Sequence, residues 1–585
     1  MPTLDWIGKR AVVTHHTKAP FHLLKPRADL SLAAKPDTTD RQHLIVQGDN
    51  LLGLKTLLPR YAGQVKCIYI DPPYNTGNEG WVYNDAVNSP EMRAWLGKTV
   101  GAEAEDLTRH DKWLCMMYPR LALLRQFLRE DGVILVSIDD FEAYRLRYVL
   151  DEVFGEQNFI AQLVWEKGRK NDAKLFSIGH EYLIIYALSK EYLRKNNITW
   201  REPKLGAKEI WLKYLELKKE FSEDNEKIET ALQKWYKSLH NSHPSKKLSR
   251  YKHVDKDGPW RDRDISWPGG GGPRYEVIHP ITRLPCQIPE RGWGFANEIE
   301  MQRQISVGLV VFREDHTKPP FRKAHLRPIQ GEIVDDAEDN SLEALDEEMS
   351  VGLQVMSSVI YKQSQVAVKS LRNLMGGKVF ENPKDSEIIA RLINYVTSSD
   401  KNAIILDSFA GSGTTAHAVM ALNAEDGGQR KCILVEMNAH IAQNITAERV
   451  RRVIAREGWG DGFEYCELGE TLFDPSGDIR SSVSYADLAE HVFFVETGCV
   501  RGQMAATTPP LVGLANDTAV YLLYNGVLKD KAVNSGNVLT PALLASLPPH
   551  LGRKVIYGTA CRLSAARLQA ENITFRQIPY DVRQA

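Results

Sequence analysis

The chain has 585 residues, 43% of them apolar and 25% charged, and its 74 Lys and Arg against 75 Asp and Glu give a formal net charge of -1. That length exceeds what one hydrophobic core supports, so several domains are expected; the near-zero charge excludes attraction of the whole chain to nucleic acid but leaves room for a local basic face. Seven scattered cysteines without a C-x-x-C pair point to neither a disulfide framework nor a zinc site, no run approaches the roughly 18 apolar residues of a membrane span, and Met1 to His16 lack an apolar signal core, so a cytoplasmic protein is expected.

From His43 to Trp165 apolar strands alternate with helices. "HLIVQGDNLLGLKTLL" reads as strand then helix, "VKCIYIDPPY" as a strand, "KWLCMMYPRLALLRQFLRE" as a helix, "GVILVSIDD" as a strand, "FEAYRLRYVLDEVF" as a helix and "FIAQLVW" as a strand, with "EYLIIYAL" at 181–188 supplying one more. Continuous apolar strands separated by helices predict an α/β fold with a mostly parallel sheet covered on both faces. Apolar spacing across 209–239 predicts one long or broken, heavily charged helix. "SWPGGGGPRYEV" and "IPERGWGF" read as irregular loops with short strands, and residues 331–349, with nine acids and no Lys or Arg, as a solvated loop. In a second α/β block, "DSEIIARLINYVT" is helical, "AIILDSFAGSGTTAHAVMALN" reads as strand, glycine loop and helix, "KCILVEMN" as a strand and "AQNITAERVRRVIAREG" as a helix.

Two stretches carry chemistry. "IYIDPPYNTGNEGW" (Ile68 to Trp81) ends a strand in an acid, two prolines and a tyrosine. Each proline fixes φ and removes an N–H, and the residue before a proline is driven out of the helical region, so the chain turns rigidly and leaves a carboxylate, bare carbonyls and an aromatic face in place. A β-turn with a capping Asp accounts for the tetrapeptide equally well. In "LDSFAGSGTT" (406–415) a strand meets a helix through Gly411 and Gly413, which permit close backbone approach to a ligand while the helix start offers free N–H groups. With Ala416 the spacing satisfies G-x-G-x-x-A, a weak signal alone. Asp407 would repel a pyrophosphate but accept from the ammonium of a methionine moiety, and Glu436, ending the next strand, is placed to hold both ribose hydroxyls. S-adenosylmethionine fits these acids better than NAD. Ligands of open α/β sheets sit beyond the carboxyl ends of the strands, so both stretches are expected to line one cleft.

Together, DPPY and F-x-G-x-G resemble the signature of DNA amino-methyltransferases, and the order of catalytic stretch, variable segment and cofactor loop is similar to their β class. "GDNLLGL", "DPPYNTGN", "GVILVSIDD", "LDEVFGEQNF" and "VFENPKD" widen the resemblance to the modification (Mod) subunits of type III restriction-modification systems and their solitary relatives. It implies a Rossmann-like S-adenosylmethionine-dependent methyltransferase fold divided into a 1–42 N-terminal extension, a 43–190 catalytic half, a 191–355 target-recognition insert, a 356–465 cofactor half and a 466–585 small α/β C-terminal domain. It also implies methylation of adenine N6 in a base flipped out of duplex DNA, with cytosine N4 methylation or a catalytically silent recognition subunit as alternatives; relatives acting on cytosine more often carry Ser in place of Asp71. A homodimer is expected, with no metal, and any restriction activity must come from a separate helicase or nuclease subunit, since the chain has no G-x-x-x-x-G-K-[ST] loop.

On this reading Asp71 accepts one amine N–H and the Pro72 carbonyl the other, Pro73 stiffens the turn and Tyr74 stacks on the base. The cofactor is expected on Asp407, Phe409, Ala410, Gly411, Ser412, Gly413, Thr414, Thr415 and Glu436, with Asp49 either accepting from its adenine amine or capping a helix. Lys384 is a further cofactor candidate, although the chain has Pro383-Lys384-Asp385 where relatives often carry P-K-P. DNA contacts are expected from Asn75, Thr76 and Asn78, which otherwise read as turn formers. A basic segment, 231–254, holds six Lys and Arg, three His and no acid, interleaved with Trp235, Tyr236 and Tyr251. Lys246, Lys247, Arg250 and Lys252 are its expected phosphate contacts, a solvated helix end being the alternative.

Overall fold

The computed structural model describes residues 3–36, 41–76, 97–98, 108–168, 175–241, 243–329, 352–501, 509–525, 532 and 535–582. The chain forms two compact units, one of residues 1–196 with 357–585 and the other of residues 197–356. Among the described residues no helix is long and apolar enough to cross a membrane.

The larger unit is built on a ten-stranded sheet. In chain order its strands are β1 (His22–Pro26), β2 (Gln42–Gln47), β3 (Val65–Ile70), β4 (Leu128–Ile138), β5 (Phe159–Glu166), β6 (His180–Ala187), β7 (Val359–Tyr361), β8 (Ile404–Asp407), β9 (Lys431–Glu436) and β10 (Gly462–Thr471). Their spatial order is β1-β10-β2-β9-β8-β3-β4-β6-β5-β7. Pairings along β10-β2-β9-β8-β3-β4 are all parallel, as is β5 with β7, whereas β6 runs antiparallel between β4 and β5, and β1 antiparallel to β10. Every residue of β3 is buried, as a central parallel strand covered on both faces requires.

The connecting helices are α1 (Asn50–Tyr61), α2 (Arg109–Phe127), α3 (Ala143–Phe154), α4 (Ser386–Thr397), α5 (Thr414–Asp426) and α6 (Glu448–Glu457). Short polar residues start them where the sequence changes period: Thr108 and Asp111 form a capping box on α2, and the Asp385 side chain accepts from the N–H groups of Glu387 and Ile388 at α4. Trp113, Met117, Leu121 and Leu124 of α2 join Leu54 and Leu57 of α1 and Ile68 and Ile70 of β3 in the main core.

The boundary expected between 465 and 466 falls inside β10, which continues the sheet as far as Thr471 opposite His22. The expected N-terminal extension likewise contributes an edge strand, β1. Beyond β10, helix α7 (Tyr485–Thr497) and the sheet β11 (Leu511–Ala515), β12 (Thr518–Leu522), β13 (Arg553–Gly558) and β14 (Ile573–Gln577) follow; Leu488, Val492 and Phe493 of α7 share a core with Val520 and Val555.

In the smaller unit the charged segment is two helices, Ala207–Glu220 and Asn225–Ser238, interrupted where Ser222 and Glu223 take φ of 49° and 69°. Ile210, Tyr214, Leu217, Ile228, Leu232 and Tyr236 form their shared core. A four-stranded antiparallel sheet follows, in the order Val310–Val311, Phe321–His325, Gly258–Arg263, His253–Asp255. The Gly- and aromatic-rich loops fold around buried Ile265, Trp293 and Phe295.

Candidate active site at the sheet switch point

After β3 the chain moves to β4 on one side, and after β8 it moves to β9 on the other, so the sheet reverses direction between β3 and β8. Such a switch point opens a crevice at the carboxyl ends of the strands. Asp71 follows the last residue of β3, Asp407 ends β8, Glu436 ends β9 and Asp49 lies just past β2. Four carboxylates far apart in sequence thus sit on four consecutive parallel strands.

The Asp71 side belongs to a buried ionic cluster. Lys384 Nζ lies 3.0 Å from Asp71 Oδ1 and donates to Glu181 Oε1 and Oε2 at 3.0 and 2.9 Å, and also to the Tyr74 hydroxyl. The Tyr74 hydroxyl is 2.9 Å from both Asp71 Oδ1 and Glu181 Oε2. Lys167 closes the cluster on Glu181. Burial raises the Asp71 carboxyl above its ordinary value against the pull of Lys384. At Glu181 burial is outweighed by Lys384 and Lys167, which hold it down to about 2. Lys384 is raised, because the two carboxylates outweigh its burial.

The prolines do what their chemistry dictates. The Pro73 carbonyl accepts from Trp113 Nε1 at 2.6 Å, while no described residue donates to the Pro72 carbonyl. Asn75 follows with a φ of 58°, its side chain donating to Glu142 and to the Arg109 carbonyl, and it is 4% exposed. Its amide therefore ties the loop to α2 and α3 rather than facing outward. Thr76 is half-buried at the end of this stretch; Asn78 lies outside the described residues.

The glycine loop is anchored from beneath. Gly411 and Gly413 have φ of 51° and 74°, and a Cβ on Gly413 would meet the Thr446 carbonyl at 3.2 Å. Glu436 Oε2 accepts from the Gly411 N–H and Oε1 from the Asn438 N–H, both at 2.9 Å. Asp407 accepts from the Phe409 N–H at 3.0 Å and from the Thr415 hydroxyl at 2.6 Å, and burial pushes it up to about 7 against these donors. The Ala410 N–H is bonded to the Val435 carbonyl, and the buried Arg449 donates to Ser412 and to the Thr414 hydroxyl. The buried Ser408 hydroxyl has no hydrogen-bond partner among the described residues.

Three sets of expected residues are placed as follows. Lys384 stands against Asp71 and Tyr74, with only its carbonyl turned to Thr414, so its ammonium belongs to the Asp71 cluster and not to the glycine loop. Asp49 caps α1, accepting from Leu51 and Leu52 N–H at 2.9 and 3.1 Å, and pairs with the buried Arg120 at 3.0 Å. In the basic segment Tyr236 and Tyr251 are 3% and 2% exposed and serve as core, and Lys246 donates to the Tyr236 carbonyl; Lys247, Arg250 and Lys252 are exposed. Glu181 and Lys167 were not anticipated from the sequence. The available signal was an acid opening an otherwise apolar strand.

Among the described residues, Asp255, Asp257 and His325 form a group with metal-ligating atoms, but the Lys323 ammonium already sits 2.6 Å from Asp255.

The DNA methylase family model matches residues 65–448, spanning both halves of the crevice. The Mod subunit of the type III restriction-modification enzyme EcoP15I of Escherichia coli is 33% identical over 74% of this chain and 64% of its own length. That of StyLTI of Salmonella typhimurium is 30% identical over 86% and 71% respectively, and that of EcoPI of Escherichia phage P1 29% over 93% and 84%. With Asp71 and the glycine loop on neighbouring strands of one sheet and a match covering both, the chain belongs to the DNA methylase family.

Proposed function

We propose that the chain is a site-specific methyltransferase that moves a methyl group from S-adenosylmethionine to adenine N6 in duplex DNA. The observation that carries this reading is the placement of Asp71 and of the Gly411–Gly413 loop on adjacent strands at the switch point. The loop fits the cofactor: two positive-φ glycines expose backbone, the Ser408 hydroxyl is buried with no partner among the described residues, and the Glu436 carboxylate is held at the end of the next strand by the Gly411 and Asn438 N–H groups. Phe409 to Gly413 and Glu436 would hold the adenosine, with Asp407 toward the amino-acid end. When bound, S-adenosylmethionine supplies an electrophilic methyl group.

The chain's own residues make the amine a better nucleophile. An exocyclic amine has its lone pair delocalised into the ring, and its nitrogen becomes tetrahedral and positive during attack. Asp71 accepts one N–H and the Pro72 carbonyl, to which no described residue donates, the other, both fixed in place before the charge develops. The Tyr74 ring, its hydroxyl pinned by Asp71 and Glu181, offers a flat face to a flipped base. Asp at position 71, where cytosine-modifying relatives more often carry Ser, favours adenine.

Similarity to subunits of type III restriction-modification enzymes supports DNA as substrate and a separate restriction subunit as partner; a homodimer and a cytoplasmic setting belong to the same proposal. The smaller unit, inserted between the two motif-bearing blocks, supplies target recognition, with Lys247, Arg250 and Lys252 on phosphates. Long-read sequencing of DNA from cells with and without the gene tests the reading. It is expected to give N6-methyladenine within one sequence context, and absence of any modified base would overturn it.

A further inference from the structure

We propose that Glu181 is a positioning residue for methyl transfer, drawing the Lys384 ammonium and the Tyr74 hydroxyl away from Asp71 so that its carboxylate keeps lone pairs for the substrate amine. This rests on the methyltransferase reading above.

The geometry makes the competition explicit. Glu181 is the second residue of β6, paired with Trp165 of β5, and it is 3% exposed. An ammonium has three donors, and Lys384 directs them among Asp71 Oδ1, both oxygens of Glu181 and the Tyr74 hydroxyl. Tyr74 has one proton and two carboxylate oxygens at 2.9 Å, so it donates to one at a time. With Glu181 ionised, both donors have a second acceptor and can leave Asp71 when an amine arrives. Without it, both fall on Asp71 Oδ1 and occupy the acceptor that the amine needs.

The Glu181 carboxylate also takes the Lys167 ammonium, so two lysines converge on it beside Asp71. The sequence separations of 107 between Tyr74 and Glu181 and 203 between Glu181 and Lys384 show that three chain segments are brought together for this cluster.

The test uses the full chain, S-adenosylmethionine and duplex DNA bearing the site found by sequencing, with single-turnover methylation measured from pH 5 to 9. The groups acting on Asp71 are Lys384, Glu181, Lys167, Tyr74, Tyr69 and Asp407. Glu181→Gln removes a neighbouring anion, so the acid limb of the rate profile moves to lower pH, while the plateau rate falls roughly 10- to 100-fold because Lys384 and Tyr74 now occupy Asp71. Lys384→Met moves the acid limb to higher pH, and the double variant brings it back between the two. Dissociation constants for cofactor and DNA stay within about twofold, since no ligand-binding group has changed. A purely structural role would lower every rate without opposed shifts.

Lys167→Met keeps the proposal testable if Glu181→Gln does not fold. It removes a positive charge at the edge of the cluster and moves the limb upward. An active wild type with Glu181→Gln at the wild-type rate, or Glu181→Gln and Lys384→Met limbs moving in the same direction, or an unmoved Lys167→Met limb, would overturn the proposal alone. A wild type that transfers no methyl group to unmodified duplex DNA, with no gene-dependent modified base in cells, would overturn the methyltransferase reading as well.

Discussion

Gly411 takes a φ of 51°, a conformation that a β-branched side chain reaches only with strain, and its N–H is held by Glu436. Gly411→Val is therefore expected to displace the loop from any ligand above it. Glu436→Ala would orphan the N–H groups of Gly411 and Asn438 and remove an acceptor for the ribose, weakening S-adenosylmethionine binding by about 1.5–3 kcal/mol. Glu436→Gln, which keeps one strong acceptor, should lose less. Calorimetric titration with S-adenosylmethionine reads all three, and wild-type affinity in both Gly411→Val and Glu436→Ala would remove the loop from the cofactor site. These residues were legible because their chemistry is local: the glycines and acids stand within a few positions of a strand end. Lys384 was legible only as a residue of interest. Its partners Asp71 and Tyr74, in the turn after β3, and Glu181, on β6, come from distant segments, and no local pattern specifies which carboxylate an ammonium meets.

Asp49 belongs to an element boundary. One oxygen caps α1, and the other pairs with Arg120 of α2, whose side chain is 1% exposed. Removing the carboxylate takes away a cap and the ion pair of a buried guanidinium that also donates to the Asn50 side chain and the Met116 carbonyl. Asp49→Ala should cost on the order of 3 kcal/mol of stability, and Asp49→Asn, which can still cap, should cost less. Denaturant unfolding checks the order, and S-adenosylmethionine affinity in Asp49→Asn should stay within about twofold of wild type. A large loss of affinity with unchanged stability would return Asp49 to the cofactor. Element types were readable where period and capping agree, as in α2 and α4. The antiparallel insertion of β6 between β4 and β5 was not, since "EYLIIYAL" reads as a buried strand in either direction. The helical segment from 209 to 239 breaks at Ser222 and Glu223, two residues with no glycine or proline to announce it.

For the whole molecule, a net charge of -1 forces any grip on DNA to be local. Of the four expected phosphate contacts, Lys247, Arg250 and Lys252 are exposed, whereas Lys246 donates to the Tyr236 carbonyl. Replacing those three by Ala should lower the slope of log K against log salt by about 0.9 per lost phosphate contact, about 2.7 in all. Lys246→Ala should leave the slope near wild type and lower the melting temperature instead. Binding titrations at several salt concentrations decide, and an unchanged slope in the triple variant would make these residues a solvated face. Tyr236 is core because Ile228, Leu232 and Tyr236 recur at helical spacing and bury one face of their helix while the cations solvate the other, and Tyr251, beyond the helices, packs into the same core.

The central claim is that Asp71 acts on the substrate amine while the glycine loop, on the neighbouring strand, holds the methyl donor. Asp71→Ala leaves Lys384 paired with Glu181, so the cluster keeps a countercharge for its ammonium. Transfer of tritium from labelled S-adenosylmethionine to site-bearing duplex DNA, measured beside calorimetric cofactor binding by the same variant, separates the two roles. The account predicts that transfer falls by on the order of 10²-fold or more while cofactor affinity is unchanged. Transfer at the wild-type rate, or loss of transfer and cofactor binding together, would contradict it.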